Sequence, residues 1–550
     1  MQTAEPTDAP APAPAADERR DQPRDEARIL VVGGGPAGLT AAYELLKHDE
    51  DAAPLVLEAT DQVGGIARTE VYKGYRFDIG GHRFFTKVKE VEEVWHEVMG
   101  EDFIDVPRQS RIYYQGKYYD YPLSIGNTLS NLGIYESARI LLSYLKWKVK
   151  PSQEEENFEQ WVSNRFGGRL FWHFFRTYTE KVWGIPCTEI RADWAAQRIK
   201  DLSLKKAVWD AVTGKSDTTS LIKTFKYPPL GPGQMWERFA EIIEGKGGEV
   251  RMRTRVHRFH REGKRIVSAE VRSHTDHADH PGDHDSDVDL SEGNTYPIAV
   301  DGVISTMPLT TLVRAMDPPA PDEVLAAADG LNYRDFLIVT LILDQKDPFP
   351  DNWIYIHSPE VKVGRIQNFR SWSEAMVPDP DHASIGMEFF CHRGDGLWTS
   401  TDEELIALAT KELNELGLAK PEVVIDGTVI RQPKAYPVYD ADYKRHVDTI
   451  EAWVKTLENL HTVGRNGMHR YNNQDHSMLS AMHAARNVLG GNFDPWNINV
   501  ERSYHEEFVV NKNQKVHEGE SATSGLEDAA TAVERVQPAG EAAAPARKAG

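Results

Sequence analysis

An α/β fold is what the sequence predicts, on three observations. The run 28–34 (RILVVGG) is short, apolar and rich in β-branched residues, as a buried strand is. The run 36–50 (PAGLTAAYELLKHDE) reads as a helix opened by proline, and 54–60 (PLVLEAT) reads as a second strand. Strand, helix, strand in that order makes one βαβ unit with parallel strands. At 550 residues the chain is too long for one simple core, and its 40% hydrophobic content is enough for a sizeable interior.

The turn between first strand and helix carries Gly33, Gly35 and Gly38 as G-x-G-x-x-G. The first glycine permits the tight turn, the second lets backbone approach a pyrophosphate, and the third lets helix and strand pack closely. A diphosphate at that helix N-terminus meets N–H groups and the positive end of the helix dipole. Glu58 closes the second strand, 20 residues after Gly38, where a carboxylate can hold ribose hydroxyls. A second glycine pair with a nearby cation, Gly64, Gly65 and Arg68, follows at once. It suits a long, deeply embedded dinucleotide, so the expected unit is a Rossmann-type domain binding FAD.

Farther on, 125–225 reads as mostly helical and rich in Trp and Phe, with Trp161 and Trp183 as core. Strand-like sequence follows at 250–273 and 336–344. Strand then turn at 459–467 precedes a helix at 477–491. The expected architecture is a Rossmann-type FAD-binding domain with a helical lobe and a mixed-sheet substrate domain. The FAD domain takes 28–124, 230–309 and 456–515, the helical lobe 125–229, and the substrate domain 310–455. The segments 1–27 and 516–550 are too poor in apolar residues to offset chain entropy and read as disordered tails. The His- and Asp-rich stretch 273–292 reads as a solvated loop between strands, and no metal site is expected. Two cysteines without a CxxC pair agree.

The run 62–69 resembles the second FAD motif of the amine-oxidase and protoporphyrinogen-oxidase superfamily. That resemblance implies a later strand touching the adenine side through backbone, at Val256. Other segments resemble the UDP-galactopyranose mutase-like branch. These are Gly80-Gly81-His82, the run 178–186 with Trp-Gly-Ile-Pro, Arg198 in 192–198, Tyr436-Pro437-Val438, and the run 464–475 (GRNGMHRYNNQD). Together they cover about 28–495. The resemblance implies that Gly80, Gly81, Gly464 and Asp475 attend the flavin and that His82 lies over its ring system. It implies that Arg198 and, more weakly, Arg365 clamp a diphosphate, to which Tyr436 and Tyr471 donate hydrogen bonds, and that Arg465 lies close to flavin or diphosphate. The chemistry implied is redox-neutral: reduced flavin attacks the anomeric carbon of a nucleotide- or lipid-linked sugar, which recloses with another ring size. One departure stands out. Asp344 lies in the strand 337–347, where eukaryotic-type mutases carry arginine, so the clamp is incomplete or supplied from elsewhere.

A net charge of −22 argues against nucleic acid or an anionic membrane as partner, though not against a local basic site. The first 20 residues lack the apolar run of a signal peptide, and no stretch is long enough to span a bilayer. A cytoplasmic enzyme with a small-molecule substrate is expected, with NAD(P)H or another reductant as a candidate electron source. Two other readings stay open: an oxidoreductase acting on a C–N or C–C bond, and a flavin-bound scaffold without activity.

Overall fold

A computed structural model describes residues 26–121, 125–192, 220–221, 224–273, 294–498 and 507–508. Most of both expected tails, the polar insertion and Arg198 lie outside them. β1 (Glu26–Val32) starts inside the segment expected to be tail, and its second half is buried on both faces. A parallel strand covered on both sides reads as a continuous apolar run for that reason. α1 (Pro36–His48) follows. Pro36 opens it, where a missing N–H costs nothing, and Lys47 and His48 sit in its last turn, where carbonyl dipoles favour cations. Residues 37–46 are all buried because α1 is enclosed by the sheet, by α6 (Gly233–Gly245) and by α8 (Gln474–Val488).

The first sheet has the order β10 (Glu249–Arg251), β2 (Leu55–Leu57), β1, β13 (Asn294–Ser305), β12 (Arg265–Ser273), β11 (Thr254–Glu262), β14 (Met316–Asp317). β13 exchanges partners along one edge. It pairs antiparallel with β12 over 294–299, then parallel with β20 (Leu460–Thr462) over 303–305. Its other edge holds β1 from Ala299 onward. One sheet thus gathers three distant pieces of chain.

The second sheet is mixed, with the order β19 (Val424–Pro437), β15 (Tyr333–Leu343), β18 (Ala383–Cys391), β17 (Arg365–Asn368), β16 (Trp353–Ile356), β6 (Ser110–Tyr114), β7 (Lys117–Asp120). The segment 28–124 therefore contributes to both sheets. Along β15, Leu337, Val339 and Leu341 face α7 (Asp402–Glu415), while Phe336 and Ile338 face the aromatic core shared with the helical lobe. That is the strand period of two, buried on both sides. The lobe contains α3 (Ile125–Val149), α4 (Phe158–Phe166), capped by Asn157 and Gln160, and α5 (Thr177–Trp183). Trp161 and Trp183 are buried within it. Minor pairs are β3 (Thr69–Tyr72) with β4 (Tyr75–Asp78), β5 (Ile104–Pro107) with β9 (Thr224–Tyr227), and β8 (Ser220–Leu221) with β21 (Glu507–Phe508). α2 (Lys89–Met99) packs on α6. No helix among the described residues is long and apolar enough to cross a membrane.

Asp78 ends β4 fully buried. Its carboxyl accepts hydrogen bonds from Tyr227 Oη at 2.6 Å and Thr69 Oγ1 at 3.3 Å. Burial outweighs these bonds and pushes its pKa up to about 8. The unfolded chain titrates near 4, so the native state holds an extra proton between those values. This contribution to stability is whole below about pH 4 and is lost as pH rises through about 8. Urea unfolding from pH 5 to pH 8.5 should show stability falling with pH, and Asp78→Asn, which cannot ionise, should flatten that fall. Parallel profiles for the two proteins would refute the assignment.

Candidate active site

Two glycine turns meet backbone to backbone. Gly64 N–H donates to Gly34 O at 2.8 Å. A Cβ placed on Gly65 would lie 3.3 Å from Gly35 Cα. The three glycines of the first turn differ in what they need. A Cβ on Gly38 would lie 1.8 Å from Gly33 O, and one on Gly33, at φ +102°, would lie 2.1 Å from Thr306 Oγ1. A Cβ on Gly35 would meet only ordinary contacts, 3.6 Å or more away. Gly33 and Gly38 are therefore required by the protein's own packing. Gly35 leaves space that the protein does not use, beside a helix N-terminus with no side-chain cap and no acid in its first turn.

Glu58 is held rigidly at the rim. Its carboxylate accepts from Gly34 N at 2.7 Å and from Thr60 N and Oγ1 at 2.9 Å each. Thr254 N–H donates to Glu58 O, so β11, which carries buried Val256 two residues on, starts against this rim. Arg68 commits Nε to Glu70 at 2.6 Å and Nη1 to Gly65 O at 2.9 Å and Gln432 at 3.1 Å. Its Nη2 is buried without a partner, as are Gln367 Oε1 and Gln474 Oε1. Gly464 comes in from the far end of the chain: a Cβ there would lie 3.0 Å from Ala37 Cβ. The run after β20 is one short helical turn, Gly464–Gly467, where the sequence suggested a plain turn. Asp475, in the first turn of α8, accepts from Thr86 Oγ1 at 3.0 Å. An uncapped helix start, a spare glycine surface and unsatisfied buried polar atoms fit a dinucleotide that carries a diphosphate.

Beyond the cradle, β4 leads into Gly80-Gly81-His82. A Cβ on Gly80 would come 3.7 Å from Arg365 Nη2 and 3.9 Å from His82 Cε1. Arg365 forms a two-pronged pair with fully buried Glu388, Nε to Oε1 at 2.9 Å and Nη2 to Oε2 at 2.6 Å, and Gln367 Nε2 donates to Oε1 at 2.7 Å. His82 Nδ1 lies 3.0 Å from Gly80 O, so Nδ1 carries the proton and Nε2 is left as acceptor. Burial, then the Arg465 guanidinium, hold its pKa down to about 3, and the imidazole is neutral at pH 7. Tyr436 and Tyr471 stack at 5.5 Å and 14°, with the Arg465 guanidinium 4.8 Å from the Tyr471 ring centre. Arg465 is steered by the carbonyls of Asn472 at 2.9 Å and Ala435 at 3.3 Å. Trp183 stacks on Tyr439, whose hydroxyl accepts from Tyr471 N–H at 2.6 Å. Tyr178 stacks on His357 at 4.7 Å. Lys181, one turn later on α5, donates to the carbonyls of Ile356, Ser358 and Val363 and pins the helix to the chain entering β17.

The structure thus brings His82, Arg365, Arg465, Tyr436 and Tyr471 together beside the cradle of Gly33, Gly35, Gly38, Gly64, Gly65 and Gly464. Arg198 lies outside the described residues. Asp344 is not in this cluster: its side chain is exposed just past the end of β15, within 3.9 Å of His382. Sequence reasoning gave no role to Glu388, Gln367 or Tyr439, and none of its own to Tyr178, which opens the run 178–186. Glu388 had a signal, a single carboxylate in the apolar strand ASIGMEFFC, because such a charge is buried only with a partner.

The chain matches the family described as flavin containing amine oxidoreductase over residues 36–489. Curated relatives align over short stretches. A coproporphyrinogen III oxidase of Mycobacterium leprae (strain TN) is 39% identical over 69 residues, 12% of this chain and 15% of its own length. A peroxisomal N(1)-acetyl-spermine/spermidine oxidase of Bos taurus is 47% identical over 55 residues, 10% of this chain and 11% of its own. The chain therefore spans only a small part of these relatives. Among solved structures, a reduced UDP-galactopyranose mutase superposes with TM-score 0.71 at 21% identity, covering 84% of this chain and 96% of that one. A putrescine oxidase bound to putrescine gives 0.55 at 15% identity, covering 85% and 100%. Likeness at such identities is likeness of fold.

The unequal demands on the glycines give a test. Gly38→Ala should fail to fold, as judged by circular dichroism and solubility. Gly35→Ala should keep the unfolding midpoint of the flavin-free protein yet bind flavin at least about tenfold more weakly, about 1.4 kcal/mol, in a fluorescence titration. Equal flavin affinity in Gly35→Ala and the parent would show that the spare space is not the cofactor's.

Proposed function

We propose, since this chain belongs to the flavin containing amine oxidoreductase family, that it binds FAD in the glycine cradle and interconverts ring forms of a nucleotide- or lipid-linked sugar with the flavin reduced. The observation that carries the reading is the convergence of Arg465, Arg365 and the stacked tyrosines Tyr436 and Tyr471 around neutral His82. Gly33, Gly35, Gly64, Gly65, Gly80, Gly81, Gly464, Glu58, Arg68, Val256 and Asp475 would line the cofactor. Flavin, when bound, supplies the nucleophilic or hydride-accepting centre.

The residues of the chain do the rest. Glu388 neutralises Arg365 and fixes its plane, so Arg365 offers a rigid hydrogen-bonding edge rather than a net charge. The Arg465 guanidinium, held by two carbonyls, supplies the positive charge for a departing diphosphate. The hydroxyls of Tyr436 and Tyr471 are candidate donors to its oxygens, and Arg198 is a candidate third cation. His82 stays uncharged and accepts a hydrogen bond at Nε2. With a pKa of about 3 it is too weak a base to abstract protons at neutral pH. NAD(P)H or another reductant would keep the flavin reduced.

Purified protein reduced with dithionite and given UDP-galactopyranose and a panel of nucleotide sugars should yield furanose product. Arg465→Lys should lower kcat/KM about a hundredfold, about 2.7 kcal/mol, because a point-charge ammonium loses the two carbonyl tethers and the planar face over Tyr471. No product and no binding with any sugar would reject this reading. A second reading rests on the aromatic wall of Trp183, Tyr436, Tyr439 and Tyr471, which offers more apolar ring surface than a diphosphate needs. It is oxidation of a C–N or C–C bond, and flavin bleaching by a member of an anaerobic amine panel would select it over the first.

A further inference from the structure

The outward face of α3 is the surface that neither the cradle nor the cluster around His82 uses. Gly133, at φ +79°, breaks α3 in two, and the second piece, 134–149, is apolar on two sides. Its inner side packs on the helical lobe. A Cβ on Gly167 would strike Tyr144 backbone, one on Gly168 would strike the Trp147 ring, and Ser143 Oγ accepts from Arg169 N–H. Its outer side carries Ile134, Ala138, Leu141, Leu142, Leu145 and Val149, all exposed, with Ile134 91%, Leu142 66% and Val149 87% accessible. Steps of three and four residues place these on one stripe. A contiguous exposed apolar stripe marks an interaction surface, and among the described residues nothing covers this one.

Charge selects the occupant. Lys146, Lys148 and Lys150 are all exposed at the end of this helix, while Arg139, two turns earlier, lies 3.5 Å from Glu136. The one acid in 134–150, Glu136, is already spent on Arg169 at 2.8 Å and His173 at 2.8 Å. The segment is thus a basic exception in a chain of net charge −22. A second copy laid on the stripe would bring lysines with no free carboxylate on this helix to meet them. An anionic lipid surface meets both features, taking the apolar stripe among its acyl chains and the lysines among its headgroups. We propose that 134–150 is an interfacial helix that seats this protein on anionic phospholipid, without spanning the bilayer.

The test uses the full chain and two vesicle types, phosphatidylcholine alone and phosphatidylcholine with about one third phosphatidylglycerol. Co-sedimentation should be at least tenfold stronger with the anionic vesicles and should weaken as salt screens the lysines. The double variant Leu142→Glu/Leu145→Glu should abolish it, and Lys146→Glu/Lys148→Glu should erase the preference for anionic lipid. Absence of binding to anionic vesicles overturns the proposal. So does a dimer in sedimentation velocity that Leu142→Glu/Leu145→Glu dissociates, which would make a second copy the occupant. A lowered melting temperature in that variant, free of lipid, also overturns it, because the stripe would then be covered by the chain itself.

Discussion

The site depends on one close approach, where the backbones of Gly34-Gly35 and Gly64-Gly65 touch through a 2.8 Å hydrogen bond. The approach is tightest at Gly65, where a Cβ would lie 3.3 Å from Gly35 Cα. With that joint made, the first turn is fixed against Thr306, the second holds Arg68, and Glu58 is pinned by the N–H of Gly34. The strand end, the helix start and the carboxylate of the proposed dinucleotide cradle are thus fixed relative to one another by the protein's own contacts.

Electrostatics in the inner cluster follow from burial. An isolated guanidinium or carboxylate at Arg365 or Glu388 would be costly, and their two-pronged pairing with Gln367 in support makes both tenable. Removing one partner would leave the other as an uncompensated buried charge. His82, desolvated by burial and then disfavoured as a cation by Arg465 and Arg365, takes the neutral form instead. The cluster therefore presents one net cation, Arg465, backed by tyrosine rings.

Much of this was legible in the sequence, because local chemistry wrote it there. The βαβ unit follows from apolar runs and Gly spacing, while a place for Gly464 near the first turn was implied by the resemblance that the run 464–475 carries. What was not legible depends on pairing across long separations. Nothing in 110–120 announces that β6 and β7 leave the first hundred residues' sheet for the second. Nothing in 364–368 announces that Arg365 is matched by a carboxylate on a neighbouring strand 23 residues later. Asp344 illustrates the same limit. Its strand was placed correctly as apolar, but where along that strand the cluster sits is set by register with β18 and β19, which sequence periodicity leaves free.

The exchange of partners along β13 bears on how the chain is made. β1 emerges from the ribosome first, yet its neighbour β13 lies some 270 residues later, and β20 completes the edge only after residue 460. Pairings of such sequence separation close slowly, because loop entropy is lost before contacts repay it. The nascent first strand gains β2 on one edge within about 25 residues, but its other edge, apolar and unpaired, waits for β13, which leaves that edge open to wrong pairings during synthesis.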